Sequence, residues 1–435
     1  MKTILTSIAA SSLLSAIAIA QPAPHYTVTD LGTLGGTYSY AYGINNAGWV
    51  AGGAATPTQT NGLAQTAFLW YGGGPLIDLG TLDGPKKCPI CNSEAGGPNA
   101  FGESAIVSET SEADPNGEDF CQFGTHRQCL GAIWKNGAMT ALPTLAGGHN
   151  GQTYWINNQG QVAGLAENGT RDPTCATATP SQVLRFEAVI WGPNGEIREL
   201  RPLPGDTVGF AFGINDNGQA VGVSGLCSNT SAPPASPFSP EPHAVLWEKD
   251  GSPTNLGSLG GAFNVPGSIN NRGEVAGASR SSKDGKIHAF LWTKATGMQD
   301  LGIFPGTDVT GAGCCNMINN RGEVALLSAN LTTGTMYALL WQNGVMYKLN
   351  DLIPKGSPWN LQSTSSINDA GEIVGSGLIN GEVHAFRATP SYGEFGGENF
   401  SPAADGVTSP TVLSEDAYKL LLQRLPFGRF GARPR

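Results

Sequence analysis

The sequence predicts an all-β protein, a seven-bladed β-propeller of four-stranded blades, closed by an N-terminal strand that completes the last blade. Three observations predict it. An Asn-x-x-Gly turn marker recurs seven times at steps of 49 to 58 residues. An aliphatic strand ending in Trp follows six of the seven markers. The chain also carries a spare strand at its front and lacks one at its back. Self-similarity at a period of this size marks units that bury their apolar faces against their neighbours.

Taken in order, residues 1–20 read as a signal peptide: Lys2 is the positive start, 4–19 is apolar, and Ala18-Ile19-Ala20 fits a cleavage site before Gln21. The apolar run is too short for a typical membrane span, although an uncleaved anchor is the alternative reading. Val28-Thr29-Asp30-Leu31 is the spare strand. The markers begin at Asn45, Asn99 (the degenerate copy Asn99-Ala100-Phe101-Gly102), Asn157, Asn215, Asn270, Asn319 and Asn368. Asn bonds its own backbone at the start of a type I turn, and Gly supplies the left-handed position that closes it. After each turn comes a short strand, then the Trp strand, with Trp70, Trp134, Trp191, Trp247, Trp292 and Trp341 at one register. Six copies read as blade-core wedges rather than as a ligand-stacking set. A fourth strand ends in Leu, as in Met298-Gln299-Asp300-Leu301. The last unit, at Ala385-Phe386-Arg387-Ala388, has no fourth strand, and the strand at Val28 supplies it. Ring closure removes the exposed edges an open array would leave. The propeller thus spans 26–389. Residues 390–413 read as a flexible linker, and 414–435 as a short helix with a basic C-terminal tail.

The string His288-Ala289-Phe290-Leu291-Trp292, with Asp300-Leu301-Gly302 and Ile269-Asn270-Asn271-Arg272-Gly273-Glu274-Val275, resembles the HAF family of extracellular bacterial repeats. His384-Ala385-Phe386 is a second copy and His243-Ala244-Val245 a near copy. The resemblance covers Tyr26 to Thr389. It implies secretion and repeat architecture, and it brings no catalytic motif.

A formal net charge of −10 argues against nucleic-acid binding, which needs a concentrated basic surface. No later apolar stretch is long enough to cross a bilayer, so the protein is expected to be secreted or extracellular, with the periplasm as the other compartment. Its eight Cys are even in number, which in an exported chain points to disulfides. Cys121 with Cys129 and Cys175 with Cys227 are the preferred pairs, and Cys314 joins Cys315 or a distant partner. Cys88 and Cys91 have the CxxC spacing of zinc and redox sites, a weaker reading in an oxidising compartment.

In up-and-down blades the strand 1–2 and 3–4 turns share one face, while the 2–3 loops and the links between blades share the other. From turn Asn to strand Trp the distance is 22 residues in units five and six, but 35, 34 and 32 in units two, three and four. Length variation and all eight Cys therefore fall on the second face, where binding or catalysis usually lives. Asp114, Asn116, Glu118 and Asp119 offer oxygen ligands for Ca²⁺, the one cofactor the sequence suggests. A solvated acidic loop is the preferred reading of those residues. The recurring His243, His288 and His384 argue for a structural hydrogen bond, and His126 and His149 lie in long-face loops. No catalytic residue is assigned, because no nucleophile elbow, zinc-protease helix or phosphate loop is present. The first functional expectation is a non-enzymatic module that binds an extracellular carbohydrate, protein or surface ligand through the loops of units two to four. A polymer-degrading hydrolase or lyase using loop carboxylates is the second, and a structural envelope or matrix component the third.

Overall fold

A computed structural model describes residues 24–57, 65–177, 182–227, 242–313 and 316–391. The signal-like segment 1–20, Cys314, Cys315, the linker from residue 392 onward and the tail 414–435 lie outside the described residues.

The described chain is all β apart from short helical turns, arranged in four-stranded antiparallel sheets. Unit one spans 39–80, with strands Ser39–Ile44, Val50–Ala54, Thr66–Trp70 and Ile77–Gly80 hydrogen-bonded in that order. The same order repeats over 93–141, 151–199, 208–255, 260–302 and 309–348 for units two to six. Units five and six touch through one parallel pair, Ile287 with Val309. Unit seven has three strands of its own, Trp359–Ile367, Ile373–Ile379 and Glu382–Ser391. Its fourth is His25–Asp30, which places Val28 opposite Ala388 and Asp30 opposite Phe386. The Tyr26 hydroxyl adds a bond to the Gly371 carbonyl, 345 residues away.

Each turn closes as its chemistry requires. The Gly N–H donates to the Asn carbonyl in all seven markers. Gly48, Gly102, Gly160, Gly218, Gly273, Gly322 and Gly371 have φ between 74° and 83°, a region in which a Cβ is strained. The Asn side chain then works in two directions. Its Oδ1 accepts the N–H groups two and four residues on, as Asn215 does from Asn217 and Gln219. Its Nδ2 donates to the next marker's Asn carbonyl: Asn45 to Asn99, Asn99 to Asn157, Asn157 to Asn215 and Asn215 to Asn270. Asn270 continues to Asn319, Asn319 to Asn368, and Asn368 back to Asn45, at 2.9–3.2 Å throughout.

Between sheets the core is apolar. Trp191 and Trp247 are fully buried, and their indole N–H groups donate to the Pro143 and Arg201 carbonyls of the preceding links. Trp70 and Trp292 are also buried, while Trp134 and Trp341 are half-buried at the sheet margin. The three repeat histidines each meet a carboxylate through Nδ1: His243 with Asp206, His288 with Asp300 and His384 with Asp30. At the axis the innermost strands approach so closely that a Cβ on Gly97 would lie 2.2 Å from the Trp155 ring, and one on Gly43 would strike Gly97. Trp155 fills that space.

The marker Asn should therefore be far more sensitive than its neighbour. Asn215 is buried, and Asn215→Ala strands two backbone N–H groups and removes one of the two donors to the Asn270 carbonyl, which keeps the Gly273 N–H. The expected loss is about 2–4 kcal/mol in urea unfolding. The exposed Asn46, changed to Ala, should cost less than about 1 kcal/mol.

Candidate functional site

The turns described above occupy one face, so the 2–3 loops and the links between units occupy the other. There the loops of units two, three and four run over 114–126, 172–183 and 226–242, against 282–286, 331–334 and 380–381 in units five to seven. The described parts of the long loops form one interlocked body.

It rests on a device used twice. In unit two, the Asn92 backbone N–H and Nδ2 both donate to Glu109 Oε2 at 2.8 Å, and Asn92 Oδ1 accepts the Gln65 N–H. In unit three, Asn150 donates through both nitrogens to Glu167 Oε2 at 3.0 Å and accepts the Cys129 N–H. Both pairs are 17 residues apart, and all four residues are buried.

The unit-two loop then crosses onto unit three. Asp114 Oδ2 accepts Asn150 Nδ2 at 2.7 Å, and Glu118 Oε1 accepts the Val183 and Leu184 N–H groups. Gln182 Nε2 bridges Glu118 and Glu167 at 3.1 and 2.8 Å. Phe120 is buried in one apolar cluster with Cys175, Phe186, Phe210 and Cys227. Disulfides join Cys121 to Cys129 within the loop, Cys175 to Cys227 across units three and four, and Cys88 to Cys91 in the link before unit two. The CxxC pair is thus closed as a disulfide.

Burial governs the electrostatics. Desolvation, then the neighbouring Glu118 charge, raises the Glu167 carboxyl well above the usual glutamate range. Desolvation likewise raises Glu109. Glu187 is pushed up to about 8 by burial and then by Glu199, with Oε1 accepting Asn168 Nδ2 and no partner on Oε2. Burial disfavours the charged form of a carboxyl, and at Glu187 it outweighs the opposing pull of Arg185.

The acidic loop is accordingly not the solvated segment its composition suggests. Asp114, Glu118 and Asp119 are buried because their oxygens replace water with backbone donors: Asp114 Oδ1 takes Asn116 and Glu118, and Asp119 Oδ1 takes Gly124. Asn116 faces Arg171. Among the described residues no group of three or more His, Cys, Asp and Glu side chains is placed to hold a metal ion. His126 Nδ1 meets the Gly117 carbonyl, and the His149 backbone N–H donates to Glu167. Neither imidazole is paired with a nucleophile. Exposed on this rim are Glu112, His126, Arg171 and Thr174.

On the opposite face a cavity of about 150 Å³ opens at the axis between the marker asparagines and Trp155. A groove of about 480 Å³ between units five and six holds two closed ion pairs, Arg272 with Glu274 and Arg321 with Glu323. Sequence reasoning missed Asn92, Asn150, Glu167, Gln182 and Phe120. The shared spacing of 17 between Asn and Glu was the available signal for the first three, and nothing local marks the last two.

No protein-family model matches the sequence, and no curated protein matches it. Among solved structures the chain is similar to a puromycin hydrolase at 13% identity and a TM-score of 0.51, over 85% of this chain and 55% of that one. A puromycin-hydrolyzing peptidase from Mycobacterium tuberculosis gives 13% identity and 0.51, over 85% and 56%. The β-propeller domain of the trilobed protease from Pyrococcus furiosus gives 9% identity and 0.46, over 82% and 99%. This chain spans about half the length of the two hydrolases. At these identities the likeness to them is one of fold alone.

Raised carboxyls fix the sign of the pH dependence. The unfolded chain releases these protons near the ordinary glutamate value of 4.5, while the folded chain holds them longer. The stability these carboxyls contribute is therefore greatest below that value and falls as pH rises from about 4.5 to about 8. Glu167→Gln, which keeps the acceptor for Asn150 without a charge, should flatten this decline and raise the melting temperature at pH 8. Thermal scans between pH 5 and 8 measure it; an unchanged slope in the variant contradicts the assignment.

Proposed function

We propose that the chain is an exported, closed seven-bladed propeller, its N-terminal strand completing the last blade. Its long-loop rim over units two to four binds an extracellular carbohydrate or protein ligand without turning it over. The returning bond from Asn368 to Asn45 and the pairing of Val28 with Ala388 support the closed ring. The signal-like start, the three disulfides and the resemblance to HAF repeats support export.

The observation that carries the binding reading is the use made of the loop carboxylates. Glu109, Asp114, Glu118 and Glu167 are buried and spent as acceptors that lock the loops of units two and three, with the links before them, into one surface. A glycosidase pair needs two carboxyls that reach the scissile bond, one as acid and one as base or nucleophile. These four face the protein interior. What they build is a preformed rim, and preorganisation lowers the entropic cost of binding.

The test is a glycan and protein array probed with the disulfide-intact chain, followed by product analysis of every hit. The expected result is a ligand whose affinity falls about tenfold or more when Glu112, His126 and Arg171 are changed together to Ala, with no product formed. Product formation that these changes abolish transfers the rim to the hydrolase or lyase reading. A hit indifferent to them removes the rim as its site.

A further inference from the structure

The repeat supplies its own control for what each position needs. In six units the residue after the turn Gly is Glu or Gln, and it accepts the marker Asn Nδ2: Glu103, Gln161, Gln219, Glu274, Glu323 and Glu372. In unit one that residue is Trp49. In three other units the residue after the strand Trp is its polar partner: Lys135 to Glu103, Glu248 to Gln219 and Gln342 to Glu323. In unit one it is Tyr71, whose ring stands at 88° to Trp49 with centroids 5.0 Å apart.

The departure continues across the boundary with unit two. The second marker residue is Asn or Asp in six units, and its side chain accepts the preceding unit's backbone N–H, as Asn158 does from Ala100 and Asp369 from Asn320. In unit two it is Ala100, so no side chain there receives the Asn46 N–H, and this second ring is broken at one place. Beside the gap Phe101 is 74% exposed, and Tyr71 is 40% exposed. Gly102 joins the two halves, since a Cβ on it would lie 3.2 Å from Trp49 and 3.8 Å from Tyr71. Gly72, Gly73 and Gly74 leave open space around them.

We infer that Trp49, Tyr71 and Phe101, with the Asn46 N–H, form a binding platform for a neutral sugar ring on the turn face of units one and two. A pyranose is apolar on its C–H face and carries hydroxyls at its edge, which matches aromatic rings bordered by an amide donor and the Glu103–Lys135 pair. Three rings are far short of the roughly 1,200 Å² a stable protein interface buries, and the charged border does not suit an acyl chain. The platform lies on the face opposite the rim, so it stands or falls separately from the rim reading.

Isothermal titration with cellotetraose, chitotetraose, xylotetraose and maltotetraose tests it. The variants are Trp49→Gln and Tyr71→Lys, which install residues the other units already tolerate, and Phe101→Gln, which copies unit three. At least one tetraose should bind the unaltered chain, and each variant should weaken it about tenfold. Circular dichroism of each variant should match the parent, and the triple rim change should leave the titration as it was. The inference is overturned if no tetraose binds. It is equally overturned if Trp49→Gln and Phe101→Gln both bind like the parent, or if these variants lose an aromatic peptide on the array in place of a sugar.

Discussion

One side-chain amide per unit holds this molecule in register. Each marker Asn closes its own turn through Oδ1 and reaches the next turn through Nδ2. The two ends of one planar group thereby convert local turn geometry into a contact with the neighbouring sheet. Asp lacks the donor and Gln shifts both ends by a methylene, so neither serves both purposes. Because the Asn is buried, the backbone N–H groups its Oδ1 receives would be left without a partner if it were lost, and each costs its desolvation. The angle between adjacent units is thus set at the turns, while the Trp strands fill the wedge between the sheets.

Much of this framework is legible in the sequence because it is repeated. The turn Gly positions, the Trp register, the paired histidines and the spare strand at Val28 are each visible when the units are laid against one another. The rim is less legible for the opposite reason: its loops differ in length and share no period. Glu118 and Asp119 look like solvated acids because composition carries no information about which backbone donors a folded loop brings near. Phe120 gives no periodic signal, since it is buried by another unit's loop rather than by its own strand. The aromatic platform of unit one is an intermediate case. Trp49, Tyr71 and Ala100 stand out only as exceptions to positions whose ordinary occupants the structure explains.

The two faces solve different electrostatic problems. On the turn face, charges sit in short pairs, at the surface in Arg272 with Glu274, where water screens them, and with a buried acid in Arg321 with Glu323. On the long-loop face, carboxyls are taken inside and satisfied by amides, with Glu167 raised above the usual glutamate range by burial. A surface built in the second way is stiffened from beneath by buried carboxyls that accept amide donors, and from the side by disulfides. Trp155, wedged against Gly43 and Gly97, lines the cavity on the turn side.

The pairing of His25–Asp30 with Glu382–Ser391 has a bearing on how the chain comes together. Synthesis delivers the front strand first and its partner last, so that strand must wait with its hydrogen-bonding edge unfilled while the intervening sheets take shape. Its polar residues Thr27, Thr29 and Asp30 suit that interval, because they make a poor template for association with a second unfinished chain.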